Sequence, residues 1–355
     1  MPSSRAASPA AVAVVVGISL AVALGGCGGG SDNSRTTTLS SAVAPPPRPP
    51  EAMGSALGLQ AAFEQVIRQA SPSVVQIETT VGLGSGVVYD TRGDIVTNNH
   101  VVGSAKSFQV TLANGRRQSA SLVGTFAADD LAVIRLSGGG SMPAPLTFAD
   151  SSKLKVGELA LALGNPLGLR SSVTEGIVSS LGRTVSEGNG VVISSAIQTS
   201  AAINPGNSGG ALVDLNGDVI GIPTLAAIDP QLGDTQAPGI GFAIPSNTVR
   251  RIASQLISSG NVTRSGRAFL GVEIATPLGG VGVVVASVNR GGPAADAGIR
   301  AGDAIIALDG QPVASADDVA TVLAGLQPGQ RVPIQIVGPD GSRATLTIRL
   351  GQEPG

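Results

Sequence analysis

Tryptophan is missing from this 355-residue chain, and cysteine, histidine and tyrosine occur once each. One cysteine cannot close an intramolecular disulfide, and one histidine cannot furnish a His-rich metal site, so structural metal is not expected. Aromatic residues make up 2% of the chain and charged residues 13%, with 22 basic against 24 acidic side chains and no long Lys/Arg block. The residues that neutralise phosphates and stack on bases are therefore scarce, and no nucleic-acid partner is expected. Yet 42% of the residues are hydrophobic, too many for a disordered polyampholyte. A chain of this length divides into two or three domains. What it has in excess is glycine: 50 residues, about twice the usual share of roughly 7% and without a collagen period, which points to tight turns and β structure.

The N-terminus reads "MPSSRAASPAAVAVVVGISLAVALGGCGGG", with Arg5 followed by an apolar run from Ala10 to Leu24. That run is shorter than the about 20 residues a membrane span needs and fits the hydrophobic region of a signal peptide. Leu24-Gly25-Gly26-Cys27 resembles the lipobox of bacterial lipoproteins, where signal peptidase cuts before a cysteine that becomes lipid-modified. The resemblance implies a signal peptide over 1–26, lipidation at Cys27, and an extracytoplasmic protein held at the bacterial cell membrane; an uncleaved N-terminal anchor is the alternative. Residues 27–58 are rich in Gly, Ser, Thr and Pro with no apolar period, and read as a tether that stiffens through Pro45–Pro50.

From Ser73 to about Ile244, short β-branched runs alternate with glycine turns, among them "SVVQIE", "DIVTNNH", "LAVIRL", "GELALAL" and "GIGFAI". About a dozen such strands predict antiparallel barrels or sandwiches. Asn114-Gly115 and Asn216-Gly217 carry the type I′ hairpin signal. The segment "PSNTVRRIASQLISSG" changes to a helical period through Val249, Ile252, Leu256 and Ile257, with Ser246 as candidate cap and Gly260 past the end. A second module from about Gly266 to Leu350 combines strands such as "FLGVEI", "GVVVASV" and "VPIQIVG" with a helix that Ser315 can cap and that buries Val319, Val322, Leu323 and Leu326.

"INPGNSGGAL" sets Ser208 among glycines, which allow close approach of a substrate carbonyl and let a turn aim several N–H groups at one point. Gly206-x-Ser208-x-Gly210 also fits the nucleophile elbow of α/β-hydrolases, but there the histidine follows the serine, and none follows here. The available order is His100, Asp130, Ser208, as in chymotrypsin-like β proteases. An isolated histidine is more often a side chain with no task; an acid and a Gly-framed serine in this order change the balance. Asp129 competes with Asp130 for the acid role.

With these residues in hand, "TNNHVV", "DDLAVI", "LGNPLGL", "IQTSAAINPGNSGGAL" and "GIGFAIP" resemble the HtrA (Deg) family of serine proteases with a C-terminal PDZ domain, over roughly residues 59–350. The resemblance implies a mainly β fold: a chymotrypsin-like double-barrel protease domain over 59–262, with barrels about 59–150 and 151–246 and a closing helix 247–259. A PDZ domain over 266–351 and a tail 352–355 complete the chain. It implies His100 as general base, Asp130 as the orienting acid (it directly precedes "LAV") and Ser208 as nucleophile. Backbone N–H groups of the Gly206-Asn207-Ser208 segment would form the oxyanion hole. Asn207 stands where digestive relatives carry an aspartate that pairs with a newly cut N-terminus, so activation by such trimming is not expected. Ile203, Leu225 and Ala226 would wall the specificity pocket and favour small aliphatic residues. Phe269, Leu270, Gly271 and Val272 resemble the carboxylate-binding loop of PDZ domains, which takes C-terminal peptides. The short "EIATPLGG" would reduce the groove's outer edge. The short turn "YDTRGDI" favours a homotrimer over a large cage. No cofactor is implied. The expected activity is serine endopeptidase cleavage of misfolded or unfolded envelope proteins; the alternative is a latent or inactive protease serving as a PDZ chaperone or adaptor.

Overall fold

The computed structural model describes residues 51–79, 82–138, 142–165, 172–188, 191–204, 206–229, 235–275 and 282–354. The segment expected to be a signal peptide, Cys27 and most of the expected tether lie outside these residues, as does most of "EIATPLGG". Helix α1 (Glu51–Ala70) begins inside the segment expected to be tether. Its second half buries Val66 and Ala70 in the main core, which is what orders it; the preceding turns are exposed. Among the described residues, no helix is long and apolar enough to cross a membrane.

Twelve strands form two closed six-stranded barrels. The first contains β1 (Val74–Glu78), β2 (Leu83–Val88), β3 (Asp94–Asn98), β4 (Ser107–Thr111), β5 (Arg117–Phe126) and β6 (Leu131–Leu136). A one-turn helix, α2 (Asn99–Val102), follows β3. The second contains β7 (Leu159–Gly164), β8 (Ser172–Gly188), β9 (Val191–Thr199), β10 (Ala211–Val213), β11 (Val219–Asp229) and β12 (Thr235–Pro245). Each barrel has its own apolar interior, around Ile77, Ile95 and Ile134 in the first and Ile197, Leu212 and Ile220 in the second. A third cluster, including Val87, Val96, Leu131, Leu163, Ile222 and Ile244, joins the barrels and is roofed by α3 (Ser246–Ser259). The helix buries Val249, Ile252 and Leu256 as its period predicts, each such side chain contributing about 1.5–3 kcal/mol, while Ile257 is half-buried.

Two local expectations need correction. Both Asn-Gly hairpins form, but only the glycines, Gly115 (φ 80°) and Gly217 (φ 83°), have positive φ, so neither turn is type I′. Instead Gly115 N–H donates to Leu112 O and Gly217 N–H to Asp214 O, a loop with one left-handed residue at its end. Ser246 is also not the cap of α3. Pro245 holds the cap position, and the Ser246 hydroxyl donates to Ala149 O (2.8 Å). The free end of the helix is met from the inter-barrel link, where Ser151 Oγ accepts Asn247 N–H (3.2 Å) and Asp150 accepts from Asn247 Nδ2 (2.8 Å). The side chains of Asn247 and Ser152 draw the Asp150 carboxyl down to about 2. Gly260 closes the other end in the left-handed conformation (φ 77°).

The C-terminal module contains β13 (Ala268–Phe269), β14 (Val272–Ala275), β15 (Val283–Val288), α4 (Pro293–Asp296), β16 (Ala304–Leu308), β17 (Gln311–Pro312), α5 (Ala316–Ala324), β18 (Arg331–Val337), β19 (Arg343–Arg349) and β20 (Gly351–Gln352). Its sheet runs β14-β15-β16-β18-β19, with β17 beside β16. The single strand expected over "FLGVEI" is broken at Leu270-Gly271, where Gly271 takes φ 77°. Ser315 caps α5 in a complete capping box with Asp318, as expected, and the helix buries Val319 and Val322. Two residues expected in the tail are held to the module: Gln352 pairs with Ala268 in the β13–β20 ladder, and the Glu353 carboxylate forms an ion pair with Arg267 (2.7 Å).

Candidate active site

Strand register brings the histidine and the acid together. β3 and β6 pair antiparallel with Asn98 opposite Leu131, so the residues just after β3 and just before β6 emerge at the same barrel end. His100 sits there on α2, and Asp130 immediately precedes β6. Asp130 adopts φ 49°, ψ 41°, a left-handed conformation that aspartate tolerates better than most residues. Its carbonyl is held by Asn99 N–H (3.0 Å) and Asn98 Nδ2 (3.1 Å).

The Asp130 carboxylate is buried and receives three donors. His100 N–H donates to Oδ1 (2.9 Å), His100 Nδ1 meets Oδ2 (2.8 Å), and the Thr224 hydroxyl donates to Oδ2 (2.6 Å). A carboxylate facing Nδ1 selects the tautomer with the proton on that nitrogen and leaves Nε2 to accept. The imidazole is 46% exposed against 3% for the carboxylate, so one end of the pair is anchored and the other faces the cleft.

Ser208 approaches from the second barrel in the loop between β9 and β10. Its hydroxyl donates to Thr224 O (3.1 Å), so Thr224 touches both the nucleophile candidate and the acid. Neighbouring amides are engaged: Asn207 N–H donates to Asn204 O, Gly209 N–H to Pro223 O and Gly210 N–H to Asn207 O. Asn207 therefore does not offer its N–H to the cleft, contrary to its inclusion in the expected oxyanion hole. Its side chain instead staples the loop, Nδ2 donating to Ala202 O (3.0 Å) and Oδ1 accepting Asn204 N–H (3.1 Å). Among the described residues no acceptor takes the N–H of Gly206 or of Ser208. Gly206 (φ 110°) has a conformation only glycine reaches readily. The glycines after Ser208 have a reason different from substrate approach. A Cβ on Gly209 would lie 2.3 Å from Ser85 O, and one on Gly210 would lie 2.1 Å from Leu163 O.

Asp129, the other acid candidate, faces away. It pairs with Arg267 (2.8 Å), whose guanidinium also bonds Val192 O and Glu353, tying the start of the C-terminal module to both barrels. Burial pushes the Asp129 carboxyl up, against the pull of Arg267. Ile203 is buried in the second-barrel core, against Gly241, where a Cβ would come within 2.3 Å of Ile203 Cγ1. Leu225 and Ala226 pair with Phe242 and Gly241 in the β11–β12 ladder; their side chains lie outside the described residues. In the C-terminal module, Leu270 O accepts Ala294 N–H and Gly271 O accepts Asn289 N–H, which pins the segment ahead of the edge strand β14.

Sequence comparison places both modules of the chain among known domains. Residues 84–222 match the trypsin-like peptidase domain, and residues 251–350 match the PDZ domain. The serine protease PepD of Mycobacterium tuberculosis is 37% identical over 329 residues, covering 85% of this chain and 70% of PepD. The chain belongs to the HtrA-type serine proteases. The periplasmic serine endoprotease DegP of Escherichia coli is 40% identical over 285 residues, 78% of this chain; the chain spans 58% of DegP's length. Among solved structures, the HtrA-type protease AlgW with a decapeptide has a TM-score of 0.56 at 31% identity, over 82% of this chain and 99% of AlgW's. The serine endoprotease of Yersinia pestis has a TM-score of 0.55 at 33% identity. This HtrA-type chain thus combines a trypsin-like endopeptidase domain with a PDZ domain.

Thr224 and Ser85, both bonded to the nucleophile loop, were missed in the sequence. Each is a hydroxyl whose partners lie far along the chain, in motifs ("GIPT", "GSG") with no chemical signal of their own.

Proposed function

We propose that this chain cleaves peptide bonds through an acyl-enzyme, with Ser208 as nucleophile, His100 as general base and Asp130 holding the imidazole in its tautomer. The observation that carries the reading is the chain of contacts His100–Asp130–Thr224–Ser208 across the two barrels. His100 Nε2 takes the Ser208 proton as the hydroxyl attacks the scissile carbonyl, then returns it to the leaving amine. The N–H groups of Gly206 and Ser208 bind the oxyanion, a contribution of about 3 kcal/mol per donor. Ile203, with Leu225 and Ala226, gives the site an aliphatic preference.

The substrates are unfolded or misfolded polypeptides outside the cytoplasm, in keeping with the periplasmic relatives. The segment Phe269-Leu270-Gly271-Val272 grips a peptide C-terminus that adds as a strand beside β14. The protein works as a homotrimer held to the membrane by a lipid on Cys27. The deciding experiment treats the full chain with a fluorophosphonate probe and digests an unfolded model protein, with products read by mass spectrometry. Labelling at Ser208 and cleavage after small aliphatic residues are expected, both absent in Ser208→Ala; labelling elsewhere, or cleavage that persists in the variant, would refute the assignment.

A further inference from the structure

Ser85 lies on β2 of the first barrel and is fully buried, yet its polar atoms all serve the loop that carries Ser208 or the strands beside it. Its N–H donates to Ser208 O (3.0 Å). Its hydroxyl donates to Gly206 O (2.5 Å) and accepts Asn165 N–H (2.8 Å). Its carbonyl accepts the Thr97 hydroxyl (2.7 Å). One side chain thereby joins β2, the end of β7 and the loop between β9 and β10.

We propose that Ser85 is a positioning residue for the oxyanion loop: by holding the carbonyls of Gly206 and Ser208 toward the first barrel it fixes the 206–207 and 208–209 peptides, and through them the adjoining peptide units whose N–H groups, those of Gly206 and Ser208, face the cleft. The inference rests on the assignment of Ser208 as nucleophile given above. The peptide between Gly206 and Asn207 is gripped at both ends, its carbonyl by Ser85 and its N–H by Asn204 O. The grip matters because Gly206 is the one residue of the loop with glycine's freedom to turn ahead of the nucleophile. A carbonyl rotated into the pocket would set an acceptor against the developing oxyanion, where a donor stabilises it. The surroundings also select serine. Beside it, Gly164 is packed so tightly on the loop that a Cβ would lie 2.5 Å from Asn207 Cα, so the end of β7 and the loop already meet next to the Ser85 hydroxyl, which bonds to both. A hydroxyl is the smallest group that donates and accepts at once.

The test compares full-length wild type, Ser85→Ala and Ser85→Cys, at a temperature where circular dichroism finds all three folded. Hydrolysis of a fluorogenic unfolded protein should lose about 10- to 100-fold in kcat in Ser85→Ala with KM nearly unchanged. Affinity for a peptide boronate, which forms a tetrahedral adduct, should fall by a similar factor, and the pH profile of kcat/KM should not move. Ser85→Cys, close in size but a weak donor, should lie between. A folded Ser85→Ala with kcat within about twofold of wild type overturns the proposal, as does a loss accompanied by a shifted pH profile, which would trace to His100 and Asp130. If Ser85→Ala does not fold, full activity of Ser85→Cys overturns it. Failure of the wild type itself to be labelled at Ser208 by a fluorophosphonate would instead bring down the nucleophile assignment, and this proposal with it.

Discussion

The two barrels have the same strand number and the same closed order, but they contribute to the site by different means. The first supplies side chains. His100 and Asp130 flank β3 and β6, whose ladder runs without a register shift, so ordinary strand pairing sets their separation. The second supplies mainly backbone, in a loop whose carbonyls and amides are held by residues of both barrels. Its long β8–β9 pair shifts register at four places, while β9 with β12 and β10 with β7 pair without a shift, so the ladders fix the two ends of the loop and leave its middle to bonds with neighbouring residues. In the proposed mechanism the proton-handling pair is thus built into a sheet, whereas the anion-binding loop depends on bonds made across the interface.

This contrast can be broken by experiment. Asp130→Asn keeps the size of the side chain but places an amide among three donors, so the imidazole loses its tautomer; kcat should fall by about 10^4 in steady-state assays. A loss of less than about tenfold would mean that the first barrel does not control the proton. Next in size is Arg267→Ala, which leaves Asp129 buried without its cation and should lower stability by about 3–5 kcal/mol in denaturant unfolding at pH 7.5. The pH dependence has a defined sign. Burial raises Asp129 above its ordinary value, so its contribution to stability is present in full at low pH and lost as pH rises through the raised value; removing Arg267 raises it further. The deficit of the variant relative to wild type should therefore be smaller at pH 4.5 than at pH 7.5. Thr224→Val deletes the one side-chain hydrogen bond that the second barrel gives to Asp130 among the described residues, and about a tenfold drop in kcat is expected. A drop as large as that of Asp130→Asn would show that the carboxylate is held mainly from the second barrel.

Much of this was legible in the sequence because the signals were local or ordered. Alternating apolar runs predicted the strand-rich domain, and the order of His100, Asp130 and Ser208 excluded the elbow-type hydrolases without any coordinates. Where partners are remote, sequence fell short. Asp129 and Asp130 are adjacent and chemically identical, and what separates them is Arg267, 138 positions further on. β5 escaped because its residues are mostly polar or half-exposed, and β9 because Ser194-Ser195 interrupts its apolar pattern, with Ser195 at φ 58°. α1 was hidden by two glycines and the prolines before it, although Phe63, Val66, Ile67 and Ala70 repeat at helical spacing.

The amide of Asn207 has a consequence for the lifetime of the enzyme. A loop ordered by an ion pair to a freshly severed chain end is switched once, because the severed bond does not re-form. A loop ordered by short contacts to Ala202 and Asn204 carries no such history. Those contacts are hydrogen bonds and involve no covalent change, so forming them leaves no irreversible mark on the chain.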